Sequence, residues 1–150
     1  MAIPIITVGA TAQMGARVNA ALAPEYEVIH FALAASRDSE IPLLLATIPP
    51  NPPNLPSPST TAGTGNWTQP PRAIAFGALV PEEDARALHK RVYEENPDAI
   101  KLPWLVVDQS IPRPEVVGNE EGYGRYMVGR FRKGLEGVLE RGDKEGVVLI

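Results

Sequence analysis

The chain has 150 residues, the size of one ordinary domain, and 44% of them are hydrophobic, enough to build a core without staples. It has no cysteine and two histidines, His30 and His89, far apart in sequence. That excludes disulfides, thiolate metal sites and a cysteine nucleophile, and argues against a histidine-based zinc site. A net charge of −4 speaks against nucleic-acid binding. No apolar run reaches the ~20 residues of a membrane helix, and the N-terminus lacks the basic region of a signal peptide. A soluble cytoplasmic protein is the expectation.

Ile3 to Val8 is an apolar, β-branched run and predicts a buried strand. A helix follows from Ala12 to Leu22, with Met14, Val18 and Leu22 on one face, and Pro24 stops it. Tyr26 to Leu33 predicts a second strand, with His30 as a core or edge histidine. Ser39 is a candidate cap for a helix from Glu40 to Ile48, where Pro42 is tolerated in the first turn.

Residues 49–71 carry eight of the chain's 16 prolines. They read as a flexible, polyproline-like insertion within a single domain of residues 1–150, with Trp67 pinning one end. Ala73 to Phe76 predicts a third strand, closed by Gly77. Pro81 and the acidic Glu82, Glu83 and Asp84 open a helix that ends at Asn96-Pro97. Ala85, Leu88 and Val92 form its buried stripe, and His89 faces solvent. Pro103 to Asp108 predicts a fourth strand, followed by a loop to Gly118. Asn119 opens a last helix to Arg141, and Gly146 to Ile150 forms a last strand.

Strands alternating with helices predict an α/β three-layer sandwich, flavodoxin-like or minimal Rossmann-like, on a mostly parallel five-stranded sheet. The order 2-1-3-4-5 suits five strands. An order beginning 3-2-1-4, and an antiparallel last strand, remain alternatives. In such sheets ligands bind beyond the strand carboxyl ends, near the switch in strand order. That rule selects Gly9–Gly15, Leu33–Arg37, Gly77–Val80 and Asp108–Gly122.

The first of these is a nucleotide-type loop. Gly9 permits a tight turn, and Gly15 permits close packing of helix on strand. The amides around Ala12, Gln13 and Met14 face the positive helix end, where a phosphate would sit, and Thr11 adds a hydroxyl. The same glycines serve any strand-to-helix turn. Val8 to Leu22, Val-Gly-Ala-Thr-Ala-Gln-Met-Gly-Ala-Arg-Val-Asn-Ala-Ala-Leu, resembles the start of atypical short-chain dehydrogenase/reductases, including NmrA-type NAD(P)-binding regulators. Gly9, Ala10, Thr11 and Gly15 match the Gly-Ala-Thr-Gly-x-x-Gly pattern of that family. Ala12 replaces the central glycine, and its methyl pushes a pyrophosphate outwards.

The resemblance implies NAD(P), held by Gly9, Thr11, Ala12, Gln13, Met14 and Gly15. Arg37 lies near the place of an NADP-marking basic residue, and Gly77 near the ribose or base. The catalytic Tyr-x-x-x-Lys is absent. Tyr126 is followed by Arg130, which stays protonated and differs in shape from lysine, and Tyr123 is followed by Met127.

Two other functions stay open. One is a cofactor-free interaction module that offers the proline-rich segment to a partner. The other is a small lyase, isomerase or hydrolase with Asp108 in a pocket, although an aspartate at a strand end more often anchors its own loop. The glycines at 124, 129, 134 and 137 in the last helix point to another backbone in close approach, within the fold or across a homodimer.

Overall fold

The computed structural model describes residues 2–46, 53, 55, 58, 60, 62–111 and 120–150. The readings made for the rest of 49–61 and for the loop 112–119 lie outside the described residues. Strands and helices alternate along the chain: β1 (Ile3–Gly9), α1 (Ala12–Leu22), β2 (Tyr26–Leu33), α2 (Arg37–Leu45), β3 (Ile74–Phe76), α3 (Glu82–Glu95), β4 (Pro103–Val106), α4 (Glu120–Arg141) and β5 (Gly146–Leu149). The strands form one sheet in the order β2-β1-β3-β4-β5, and every neighbouring pair is parallel. The 2-1-3-4-5 order therefore holds, and the last strand runs with the others.

The period-2 alternation of the strands sends side chains to two helical layers. Ile5 and Leu105 pack with Val18 and Leu22 of α1 and with Met127, Phe131 and Leu135 of α4. Ile6, Val8, Trp104 and Val106 pack on the other face with Ile41 and Leu44 of α2 and Leu88 and Val92 of α3. Each such side chain contributes roughly 1.5–3 kcal/mol through burial.

α2 departs from its predicted form. It starts at Arg37, directly after a 3-10 turn at Ala34–Ser36. Ser39 is no cap, since its hydroxyl donates to the Ser36 carbonyl at 3.0 Å. Pro42 lies inside the helix, so the Asp38 carbonyl loses its amide donor. Arg91 of α3 replaces that donor, with Nη2 at 2.5 Å from the Asp38 oxygen. The consecutive leucines hide a helical stripe, because Ile41, Leu44 and Leu45 are buried while Leu43 is exposed.

The free edge of β2 is covered by Thr60 and residues 62–65. Phe31 N–H donates to the Ala62 carbonyl, and the amides of Thr64 and Gly65 donate to Val28 and Ile29. Gly63 makes this approach possible. Its φ is +115°, and a Cβ there would lie 3.0 Å from the His30 backbone. Glu27 fastens the segment by accepting from Thr64 Oγ1 and Asn66 Nδ2. Trp67 is buried in the α2/α3-side core. His30 is a satisfied core histidine, its Nε2 lying 3.0 Å from Glu40 Oε1 of α2.

His89 is not turned to solvent. Its ring stands edge-on to Trp104, centroids 4.9 Å apart, and packs on Tyr93 at 4.7 Å. Its Nε2 is buried and has no hydrogen-bond partner among the described residues. Burial pushes its pKa below the ordinary value; Glu145 opposes this, and Arg86 and Lys101 add to it. The unfolded chain, with an ordinary histidine near pH ~6.5, then binds the proton more readily than the native state. This contribution to stability is present above that pH and is lost as the pH falls through it. Urea midpoints measured at pH 7.5 and pH 5.5 are expected to fall for the wild type and to fall less for His89→Phe. Equal falls would contradict a neutral buried imidazole.

Candidate functional site

The chain leaves β1 towards β2 on one side and later returns to β3 on the other. The switch in strand order therefore lies between β1 and β3, where the loops after the two strands diverge. A crevice opens there. Gly9, Ala10, Met14 and Gly15 of the first loop and α1 form one wall, and Gly77, Ala78, Leu79 and Val80 form the opposite one. Tyr123, Met127 and Phe131 of α4 close the side, and Phe31 forms the floor. The crevice is a cavity of about 40 Å³ that widens to about 470 Å³ when its open mouth is included. Gln109 braces the β3 wall, its Nε2 donating to the Ala78 carbonyl at 2.9 Å. Leu79 hangs over the mouth, 64% exposed.

The first loop has the expected strand-turn-helix form, with its groups partly committed. Thr11 is the N-cap of α1, and its hydroxyl accepts from Met14 N at 3.1 Å. Ala12 and Gln13 head the helix, so their N–H groups have no intrahelical acceptor. Gly15 is required by the ring beneath it: a Cβ would lie 2.5–2.7 Å from three atoms of Phe31. The ring also sits 3.0 Å from the Cβ position of Gly9.

The remaining candidates divide. Gly77 lines the crevice, but its amide donates to the Val8 carbonyl at 2.8 Å, and a Cβ there would press on that oxygen at 3.2 Å. It serves the β1–β3 junction. Arg37 is neither a free turn arginine nor a crevice residue. Its Nη1 donates to the Ala34 carbonyl at 2.6 Å and its Nη2 to Asp84 Oδ2 at 3.2 Å, tying α2 to the start of α3.

Asp108 stands just beyond β4 and accepts from the Ser110 hydroxyl at 2.6 Å and the Ser110 amide at 3.0 Å. Those bonds, the hydroxyl's first, hold its carboxyl below the usual range. A carboxylate held this way anchors its own turn, whereas a general base works best near the operating pH. Tyr126 and Arg130 do meet, Nη1 to Oη at 2.9 Å. That pair faces the β5 edge, where Arg130 also donates to the Ile150 carbonyl, away from the crevice.

Sequence reasoning did not assign Phe31, Leu79, Tyr123 and Met127 to the site. The strand-order rule selected the loop that holds Leu79, within Gly77–Val80, and stopped at Gly122, one residue short of Tyr123. Within the fold, Gly124, Gly134 and Gly137 of α4 face side chains, and Gly129 faces none. A Cβ at Gly134 would lie 2.6 Å from Ile150 Cγ2, one at Gly124 3.5 Å from Met14 Sδ, and one at Gly129 in open space. Among the described residues no cluster could hold a metal ion, and no helix is long and apolar enough to cross a membrane.

No known protein-family profile matches the chain, and no solved structure matches it. "Kojic acid related protein 6" of Aspergillus oryzae is 34% identical over 153 residues, spanning 99% of this chain and 86% of that protein. At that identity and span, the chain belongs to the family of Kojic acid related protein 6.

Proposed function

We propose that this chain is a Rossmann-like small-molecule-binding protein whose ligand lies in the crevice between the first loop and the loop after β3. The observation that carries this reading is the coincidence of an apolar crevice with the switch in strand order. The cavity is small, and the side chains that must yield are adaptable. Met14 and Met127 are unbranched, and Leu79 stands largely in solvent. The name of the Aspergillus oryzae relative mentions kojic acid. Kojic acid is a small oxygen heterocycle, which makes it the first probe.

The likeness of residues 8–22 to NmrA-type proteins supports a dinucleotide at the same loop. Three features weigh against that occupant. The Thr11 hydroxyl caps its own helix, Arg37 is held by Asp84 and Ala34, and Ala12 adds a methyl where the pattern has a glycine. Melting curves with each probe separate the readings. Kojic acid or another small ring compound is expected to raise the melting temperature by roughly 2–4 °C, the shift that ~1 kcal/mol of binding gives a domain of this size. NADPH and NAD are expected to leave it unchanged. A shift with NADPH that Gly15→Asp abolishes would put a dinucleotide in the site instead.

A further inference from the structure

We infer that Tyr123 is the polar anchor of the crevice, and that the ligand enters as a neutral ring that presents a hydrogen-bond acceptor to its hydroxyl. This rests on the crevice reading above and adds the chemistry that selects the ligand. Among the described side chains lining the crevice, only Thr7 and Tyr123 carry an oxygen or nitrogen atom. The Thr7 hydroxyl donates to Asn19 Oδ1 at 3.1 Å and is committed to α1. The Tyr123 hydroxyl makes no hydrogen bond among the described residues. It stands at the start of α4, beside the apolar surface of Met14, Met127 and Phe131.

Among the described residues no Lys, Arg, Asp or Glu lines the crevice. A ligand charge placed in it would lose water and gain no counter-ion, so the buried part of the ligand is neutral. The walls are two methionine side chains and two phenylalanine rings. Thioether sulfur and ring faces pack well on a flat ring, and unbranched methionines adjust to its outline. A ring carrying a carbonyl then presents its oxygen to the one free phenol, which donates.

The test uses the full chain and two ligands of nearly equal shape, acetophenone and ethylbenzene, with benzoate as the charged relative. Affinities are read by ligand-observed NMR for the wild type and Tyr123→Phe, which removes only the hydroxyl. Melting temperatures confirm that the variant folds. In the wild type, acetophenone is expected to bind several-fold more tightly than ethylbenzene. Tyr123→Phe is expected to lower acetophenone affinity by up to about tenfold, the worth of one hydrogen bond, and to leave ethylbenzene unchanged. Benzoate is expected to bind more weakly than acetophenone. Equal binding of acetophenone and ethylbenzene by the wild type, or equal acetophenone affinity in both proteins, would overturn the anchor while leaving the crevice reading in place. Tighter binding of benzoate would overturn the neutral ligand. If neither acetophenone nor ethylbenzene binds the wild type, the crevice reading fails and the anchor with it.

Discussion

Phe31→Ala is expected to lower the free energy of unfolding by about 3–5 kcal/mol, a large part of the ~5–15 kcal/mol that holds a domain of this size together. Phe31 is 2% exposed and lies between β2 and the first loop. Its ring touches the Cβ positions of both Gly9 and Gly15. Removing it costs the transfer energy of the ring and leaves a void that the surrounding backbone cannot close. The void would join the crevice, so the variant is also expected to take up benzene, as dry apolar cavities do. Urea denaturation with and without benzene measures both effects. A loss under ~1 kcal/mol would mean that the ring is not the floor the geometry shows.

Gly15→Ala is expected to destabilise by about 1–3 kcal/mol. Two effects oppose each other at this position. Alanine in a helix is favoured over glycine by ~0.8–1 kcal/mol. Against that, the new methyl would stand 2.5–2.7 Å from three ring atoms of a side chain that is 2% exposed. Contacts that close cannot persist, and moving the ring breaks its packing in the β1–β2 core, so the clash wins. The cause is separable by a double-mutant cycle. In a Phe31→Leu background the same Gly15→Ala change is expected to cost less, with a coupling of roughly 0.5–3 kcal/mol. A stabilising Gly15→Ala would show that the ring yields and that helix propensity decides.

The fold was legible because its signals are local. β-branched runs, the spacing of Met14, Val18 and Leu22, Pro81 with its acidic turn and the stripe Ala85, Leu88 and Val92 each specify one element. Their alternation then leaves few topologies. The misreadings arose where a distant group overrode a local rule. Pro42 should sit in a first turn, but Arg91 from α3 replaces the lost amide, so the helix runs through it. His89 sits on a charged helix, but Trp104 of β4 and Tyr93 cover its ring.

The same limit applies to the site. Gly9 and Gly15 stood out as glycines, but what they admit is the Phe31 ring, a partner 16 or more residues away that no spacing reveals. Arg37 looked like a free cation until Asp84, 47 positions on, occupied it. Tyr123 drew notice for lacking a lysine four residues later and for lying near Asp108 in sequence. Its place beside Met14 depends on how α1 and α4 pack, which is a tertiary fact.

The most direct test of ligand binding at the switch in strand order is an amide NMR titration of the full chain with kojic acid and with acetophenone. The expected result is a saturable set of shifts confined to residues 9–15, 77–80 and 123–131. Shifts centred on the groove of Arg130, Lys133 and Arg141 at the β5 edge, or no saturable shifts with either compound, would contradict it.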